Sequence, residues 1–427
     1  MKSEKTVGAI VISVIAFVLI AVIIFASTMN GNKIVTGKGD LMDGIKTKRI
    51  TSGKIDDNFK QKYADFCYEL INFAAKSKEN VGFAPSNIMN ATAFLAAASD
   101  GKTAEELEAA LGMNAEAAGR ALSSLETKSA LRDGQGLGSS TTVWLNSLHP
   151  FGIRKNFLKE NARFYGLNVM REDFSLDVIE DLSNESILDA TKSNTFSSMQ
   201  FGNNDFMNII SGASFIGEWE TPASSEQIST GLFAGSISEQ ECSFFQSVEN
   251  RYISGASYIG AVKELKGGYS FVGLLPKEDE MNYYGVVDIA RDLANGEGVL
   301  NLLKNAEEKN VTVVLPQYAN SVNMPTTINI NKPLQSMGIT SAFQVGASLN
   351  RMAPNSYNLH LNRIVAAGDI GFSVTGCCPE GKSGKKVSDK AFKECEAYVR
   401  FDSSFIYFIF HNETGLPIYC GIMNKLQ

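Results

Sequence analysis

The chain has 427 residues and a formal net charge of −7, with 44% of its residues hydrophobic and 20% charged. That apolar share excludes a disordered chain, and 37 Gly with 10 Pro exclude a collagen-like or Pro-rich polymer. The dispersed acidity argues against a nucleic-acid binder; three His (His149, His360, His411) and six Cys without a Cys-x-x-Cys pair leave no ligand set for a usual zinc site.

Val7 to Ala26 is the first element, 20 residues without a charge, preceded by Lys2 and Lys5. As a helix at about 1.5 Å per residue it spans about 30 Å, the thickness of a bilayer's hydrocarbon core. Its length favours an uncleaved anchor over a cleaved signal, whose apolar core is usually about 7–15 residues. Ala26-Ser27-Thr28 is also a poor cleavage site. Both readings place the rest of the chain outside the cytoplasm, where Cys pairs can oxidise. The sequence therefore divides into a membrane anchor or signal segment (1–29), a Gly-, Lys- and Asp-rich flexible tether (30–55) and one folded domain (56–427).

Within the domain, Phe59, Tyr63, Phe66, Cys67, Leu70, Ile71 and Phe73 recur at helical spacing and predict an amphipathic helix. Pro85-Ser86 opens a more apolar helix to Ala98, and Thr103–Glu106 has the capping-box form that starts a third. Later runs are short and β-rich: 206–215, 269–275, 311–315 and 405–410. Helices first and strands later predict an α+β fold with a large, mostly antiparallel sheet system. An internal echo, ISGASFIG from Ile210 and ISGASYIG from Ile253, reads as two strands of similar environment rather than a repeat.

Gly376 to Ser383 (GCCPEGKS) satisfies the phosphate-loop pattern, but only 44 residues follow it and Pro379 removes an N–H group that such a loop uses. A nucleotide fold needs further βα units after that loop, so no cofactor is expected. No G-x-S-x-G elbow or H-E-x-x-H motif is present, and an enzyme is not expected.

The run NVGFAPSNI from Asn80, followed by GKTAEEL from Gly101, resembles the second-helix signature of the serpin family. Further matches keep the family's order. They are TVWL from Thr142, YGLNV from Tyr165, FIGEW ending at Trp219, the strand ending at Pro276, VVLPQY from Val313, MGI from Met337, FDSSF from Phe401 and GLPIYCG from Gly415. The resemblance covers about residues 56–427. It implies a single domain with three sheets, eight or nine helices and an exposed reactive loop. It also implies a monomeric serine-protease inhibitor whose loop, once cut, inserts into the central sheet as a new strand.

On this resemblance the hinge falls on Gly376, Cys377, Cys378 and Pro379. The attacked bond falls on Lys390-Ala391, with Lys393-Glu394 as second choice, and either Lys suits a trypsin-like protease, whose pocket carries a carboxylate. If Cys377 faces inward on insertion, so do Pro379 and Lys385; the Pro cannot donate a ladder bond and the Lys brings a charge. The family's Ser, Asn and His cluster, where the sheet opens, aligns on Ser211, Asn87 and Ala366, and Trp219 matches the Trp near the sheet top. Loss of the His, with Pro379 and Lys385, opens the alternative of a non-inhibitory binding or decoy protein. Cys377, Cys378 and Cys395 flank the attacked bond, and a bridge from Cys395 to either of the others would tie both sides of the cut together.

Overall fold

The computed structural model describes residues 33–193, 201–223, 228–277, 283–319, 326–354, 356–378 and 395–426. The apolar run Val7–Ala26 lies outside them; among the described residues no helix is long and apolar enough to cross a membrane.

The chain enters through two short strands. β1 (Ile34–Val35) pairs antiparallel with Ile153–Arg154, and β2 (Gly39–Asp40) pairs with Met170–Arg171 at a sheet edge. Leu41 is buried, and Arg49 reaches the Glu126 carboxylate at 2.5 Å and the Tyr165 carbonyl at 2.9 Å. A stretch that composition casts as a flexible tether is thus laid along the domain over residues 34–50. Its few anchoring residues show no period because each docks separately on a surface that other elements build.

α1 (Asp57–Ala74) forms as its apolar stripe predicts, with the Asp56 carboxylate capping Phe59 N at 3.0 Å. β3 (Val81–Phe83) leads into α2 (Pro85–Ala98), which is buried at every position but Ala97. α3 (Gly101–Leu111) starts two residues before the expected capping box. Tertiary partners take both box residues: Thr103 Oγ1 accepts from Ser348 N at 3.1 Å, and the Glu106 carboxylate accepts from Thr340 N (2.8 Å) and Ser341 N (2.7 Å). Desolvation opposes charge on Glu106, but these N–H groups and the Ser341 and Thr340 hydroxyls outweigh it and hold its carboxyl at about 2, against an ordinary 4.5. A depressed carboxyl contributes stability above its unfolded pKa and loses it as pH falls through the folded one. Acid titration should therefore show a stability loss between about pH 4.5 and 2 that Glu106→Gln removes, read as a smaller pH dependence of the urea midpoint over that window.

The chain continues through α4 (Ala115–Ser129), β4 (Gly136–Asn146), β5 (Ile153–Arg154), α5 (Lys155–Glu160), β6 (Asn168–Glu172), α6 (Val178–Thr191) and β7 (Met207–Glu218). It then becomes strand-rich: β8 (Ile228–Ala234), β9 (Glu239–Ser254), β10 (Tyr258–Leu265) and β11 (Tyr269–Pro276). After α7 (Tyr283–Asp292) and α8 (Gly296–Asn301) come β12 (Glu307–Pro316), β13 (Thr326–Asn329), α9 (Asn331–Ser336), β14 (Leu361–Asp369) and β15 (Gly376–Cys377). β16 (Ala397–Arg400), β17 (Phe405–His411) and β18 (Leu416–Met423) end the fold. The four β-rich runs read from composition lie in strands, the first from Met207 on, one residue later than read. The two echoed segments differ: the first is the middle of β7, whereas the second turns through Gly255–Ser257 between β9 and β10. Backbone context, not the seven shared residues, decides the conformation there.

Among the described residues the strands form three sheets of two, nine and seven strands, with nine α-helices around them. The seven-stranded sheet has the order β13-β14-β7-β4-β6-β2, with β15 added on β7. β14 and β7, second and third in that order, lie parallel and paired from Leu361/Met207 to Asp369/Ser214, with a register shift between Leu361 and Arg363. Alternation along β7 sorts its residues by face. Met207, Ile209, Ala213 and Phe215 join the main core, while Ile210 joins Trp144, Phe174, Ile179 and Ile187 under α6. Gly212 permits that cover, because a Cβ there would meet Ile187 Cγ2 at 2.1 Å.

Candidate functional site: the hinge and the sheet opening

The chain leaves β14, turns, and hooks back over the end of β7. Gly376 pairs with Glu218 and Cys377 with Gly217, both antiparallel. Ser373 N donates to Gly376 O at 2.9 Å and Cys378 N to Gly371 O at 3.1 Å, closing a tight return. From the other side Trp219 N donates to Thr375 O (2.8 Å) and Ala223 N to Val374 O (2.9 Å). Gly376 is required by this approach, since a Cβ would stand 2.1 Å from Gly217 O. Cys377 faces the interior, 1% exposed, and burial pushes its thiol pKa well above the ordinary value. Cys378 is half-buried; both are free thiols.

Trp219 is fully buried under this hook, and its indole Nε1 donates to Ser373 O at 2.8 Å. Lys263 Nζ lies 5.0 Å from its ring centroid, and the Phe271 ring meets it edge-on at 5.9 Å. The Lys263 ammonium is itself buried. It donates to Glu249 Oε1 (2.5 Å), Ser247 Oγ (3.0 Å) and Thr221 O (3.0 Å), so its three protons are all used. Residue spacing does not show this pair, because Lys263 and Glu249 lie on different strands of the nine-stranded sheet. A Lys that follows the apolar run Tyr258–Val262 of β10 is the one signal that could have drawn attention to it.

Lower down, the polar cluster forms where β14 meets β7. Ser211 and Ala366 are register partners, and Asn87 Nδ2 donates to Ser211 Oγ (3.0 Å) and Gly212 O (3.3 Å). The structure thus brings Asn87, Ser211 and Ala366 together. Ala366 contributes only a methyl group. The remaining partner comes from the opposite side, where Thr141 Oγ1 of β4 donates to Ser211 Oγ at 3.3 Å. Thr141 stands in the polar run Ser139–Thr142, which was readable, but its pairing with Ser211 follows only from the β4–β7 register.

Pro379, Lys385, Lys390, Ala391, Lys393 and Glu394 lie outside the described residues. Cys395 stands just before β16, whose residues pair in parallel with Val311–Val314. Two ends of an unassigned segment are therefore placed: one hooked on β7, the other entering the nine-stranded sheet.

These features define an α+β protein built round a large sheet in which β14 and β7 pair in parallel beside one polar cluster, with the chain returning onto the end of β7 at Gly376–Cys377. A family model described as Serpin (serine protease inhibitor) matches residues 61–426, and the chain belongs to the serpin family. A serine protease inhibitor of Cyanea capillata is 24% identical over 81% of this chain and 92% of its own length. Iripin-2 of Ixodes ricinus is 26% identical over 37% of each chain. Among solved structures, the thermophilic serpin tengpin in its native state superposes with a TM-score of 0.81 at 27% identity, covering 91% of this chain and 100% of that one. The latent state of tengpin gives 0.71 at 25% identity, over 88% and 100%. The fold is thus more similar to the native form, in keeping with the direct β14–β7 pairing.

Proposed function

We propose that this serpin inhibits a serine endopeptidase outside the cytoplasm by cleavage and insertion of its reactive loop. The observation that carries this reading is the antiparallel hook of Gly376–Cys377 on β7. It is the first step of a strand that, continued in the same register, would bring Pro379 opposite Phe215, Ser383 opposite Ser211, Lys385 opposite Ile209 and Val387 opposite Met207. The test is incubation with trypsin-like proteases. A covalent adduct stable in SDS supports inhibition. Loop cleavage with no adduct and no rise in thermal stability defeats it.

The same register favours a second reading, a non-inhibitory serpin whose loop is cut without trapping the protease. Cys377 faces inward, so alternation would drive Lys385 inward too, between Ile209 and Ile364, which are register partners and fully buried. An unpaired ammonium there costs several kcal/mol, and Pro379 forfeits one ladder bond. Lys385→Ser is therefore expected to raise the ratio of adduct to cleaved product by about tenfold or more, a factor equivalent to roughly 1.4 kcal/mol. Gel quantification of the two products measures it; an unchanged ratio would show that Lys385 does not limit insertion.

The second reading is also served by a loop-closing bridge, proposed between Cys378 and Cys395 because Cys377 is committed to the interior; tying both sides of the cut together would keep the protease from being carried away. Residues 1–29 are proposed as a single-pass anchor, or as a cleaved signal for a secreted monomer. Fractionation distinguishes the two. An anchored protein stays with membranes at full length, and deleting residues 1–29 should move it to the soluble fraction.

A further inference from the structure

Three of the six cysteines lie away from the loop, and two of them meet in the core. Cys67 is on the buried stripe of α1 and Cys420 is in β18; both are fully buried, and their Sγ atoms are 3.5 Å apart across 353 residues of sequence. The approach is held from a second point. One helical turn earlier, Tyr63 Oη donates to Pro417 O at 2.8 Å, which fixes the rotation of α1 against β18. Burial pushes the Cys420 thiol pKa well above its ordinary value, so in the finished fold it is neither charged nor reachable.

We propose that Cys67 and Cys420 form a disulfide while the domain folds in an oxidising compartment, locking the first helix to the last strand. This rests on the extracytoplasmic reading only for its setting. The sulfurs are in van der Waals contact, and a bond of about 2.05 Å needs them to close by about 1.5 Å, the scale of a χ1 adjustment at each Cys. The oxidant is a disulfide of the glutathione or thiol-oxidoreductase class. One Cys thiolate attacks it, forming a mixed disulfide and releasing one thiolate. The second Cys thiolate then attacks the protein sulfur of that mixed disulfide and releases the other. Two protein S–H groups are lost, one S–S bond is made, and the oxidant is reduced to two thiols that take up the two protons. Because both sites are closed to solvent in the fold, the reaction belongs to the stage before α1 docks on β18.

The bridge has a consequence for a cut protein. β16, β17 and β18 all follow the reactive loop, so a cleaved chain holds its C-terminal piece through non-covalent contacts alone unless a covalent link exists. With Cys67–Cys420 closed, the cut molecule remains one covalent unit even when denatured.

The test is refolding of the full chain in reduced and oxidised glutathione, followed by alkylation in denaturant and digestion without reductant. Loss of two of the six thiols, with a linked peptide containing Cys67 and Cys420, is the expected result; two further thiols disappear if Cys378 and Cys395 also close. In a Cys395→Ser variant, which cannot bridge the loop, the C-terminal fragment made by loop cleavage should separate on a denaturing gel only after reduction. Recovery of Cys67 and Cys420 as alkylated thiols, or release of that fragment without reductant, overturns the proposal. No cell is involved, so the outcome decides the bridge independently of where the domain resides.

Discussion

Replacing Lys390 with alanine is expected to lower the rate of adduct formation with a trypsin-like protease by on the order of 10⁴-fold. A protease pocket that carries a carboxylate leaves that charge unpaired when the bait side chain is an alanine methyl, and sites built to bond a polar group reject its absence by roughly 10⁴–10⁵. Lys390 stands 14 residues after Gly376, whose position on β7 is the fixed end from which the loop departs. The second-order rate of protease inactivation measures the effect, and sequencing the new N-terminus of the cut protein locates the bond. Lys393→Ala is the matched comparison. If it abolishes the adduct while Lys390→Ala does not, the attacked bond is Lys393-Glu394. If neither matters, the protease is not of trypsin-like specificity.

The second large effect belongs to the buried pair beneath the hinge. Glu249→Ala is expected to destabilise the native fold by about 3–5 kcal/mol, because it strands the Lys263 ammonium in a site where it is 1% exposed. Lys263→Met in the same background should recover much of the loss, since it removes the stranded charge that makes breaking a buried pair costly. Urea midpoints of the two variants measure this. The pair also bears on the loop. Lys263 lies over Trp219, and Trp219 holds Ser373 and Thr375. The single variant should therefore loosen the hinge, read as faster amide exchange at Thr375–Cys377 relative to the double variant. A single variant as stable as the parent would mean that water reaches Lys263.

Much of the fold was legible because its signals are local. The stripe of α1, the Pro that opens α2 and the β-rich runs each depend on neighbours within a few residues, so period and turn chemistry report them. Where tertiary contacts compete for a side chain, the local rule fails. Thr103 and Glu106 have capping-box spacing, yet Ser348, Thr340 and Ser341 take them. The second copy of the ISGAS echo turns where the first runs straight. Residues 34–50 look like a tether because docking one residue at a time leaves no period to read.

By itself the sequence determined the class of this protein and the order of its elements, because ordered motifs survive as strings. Only the tertiary structure decided that Cys377 faces inward, that Thr141 joins Ser211, that Lys263 and Glu249 pair beneath Trp219, and that Cys67 meets Cys420. Each of these joins side chains on different elements, and one residue of register would turn a strand's side chain to the other face. Such a contact has no local signature. It exists once strands from distant parts of the chain are brought to the same sheet in a definite register.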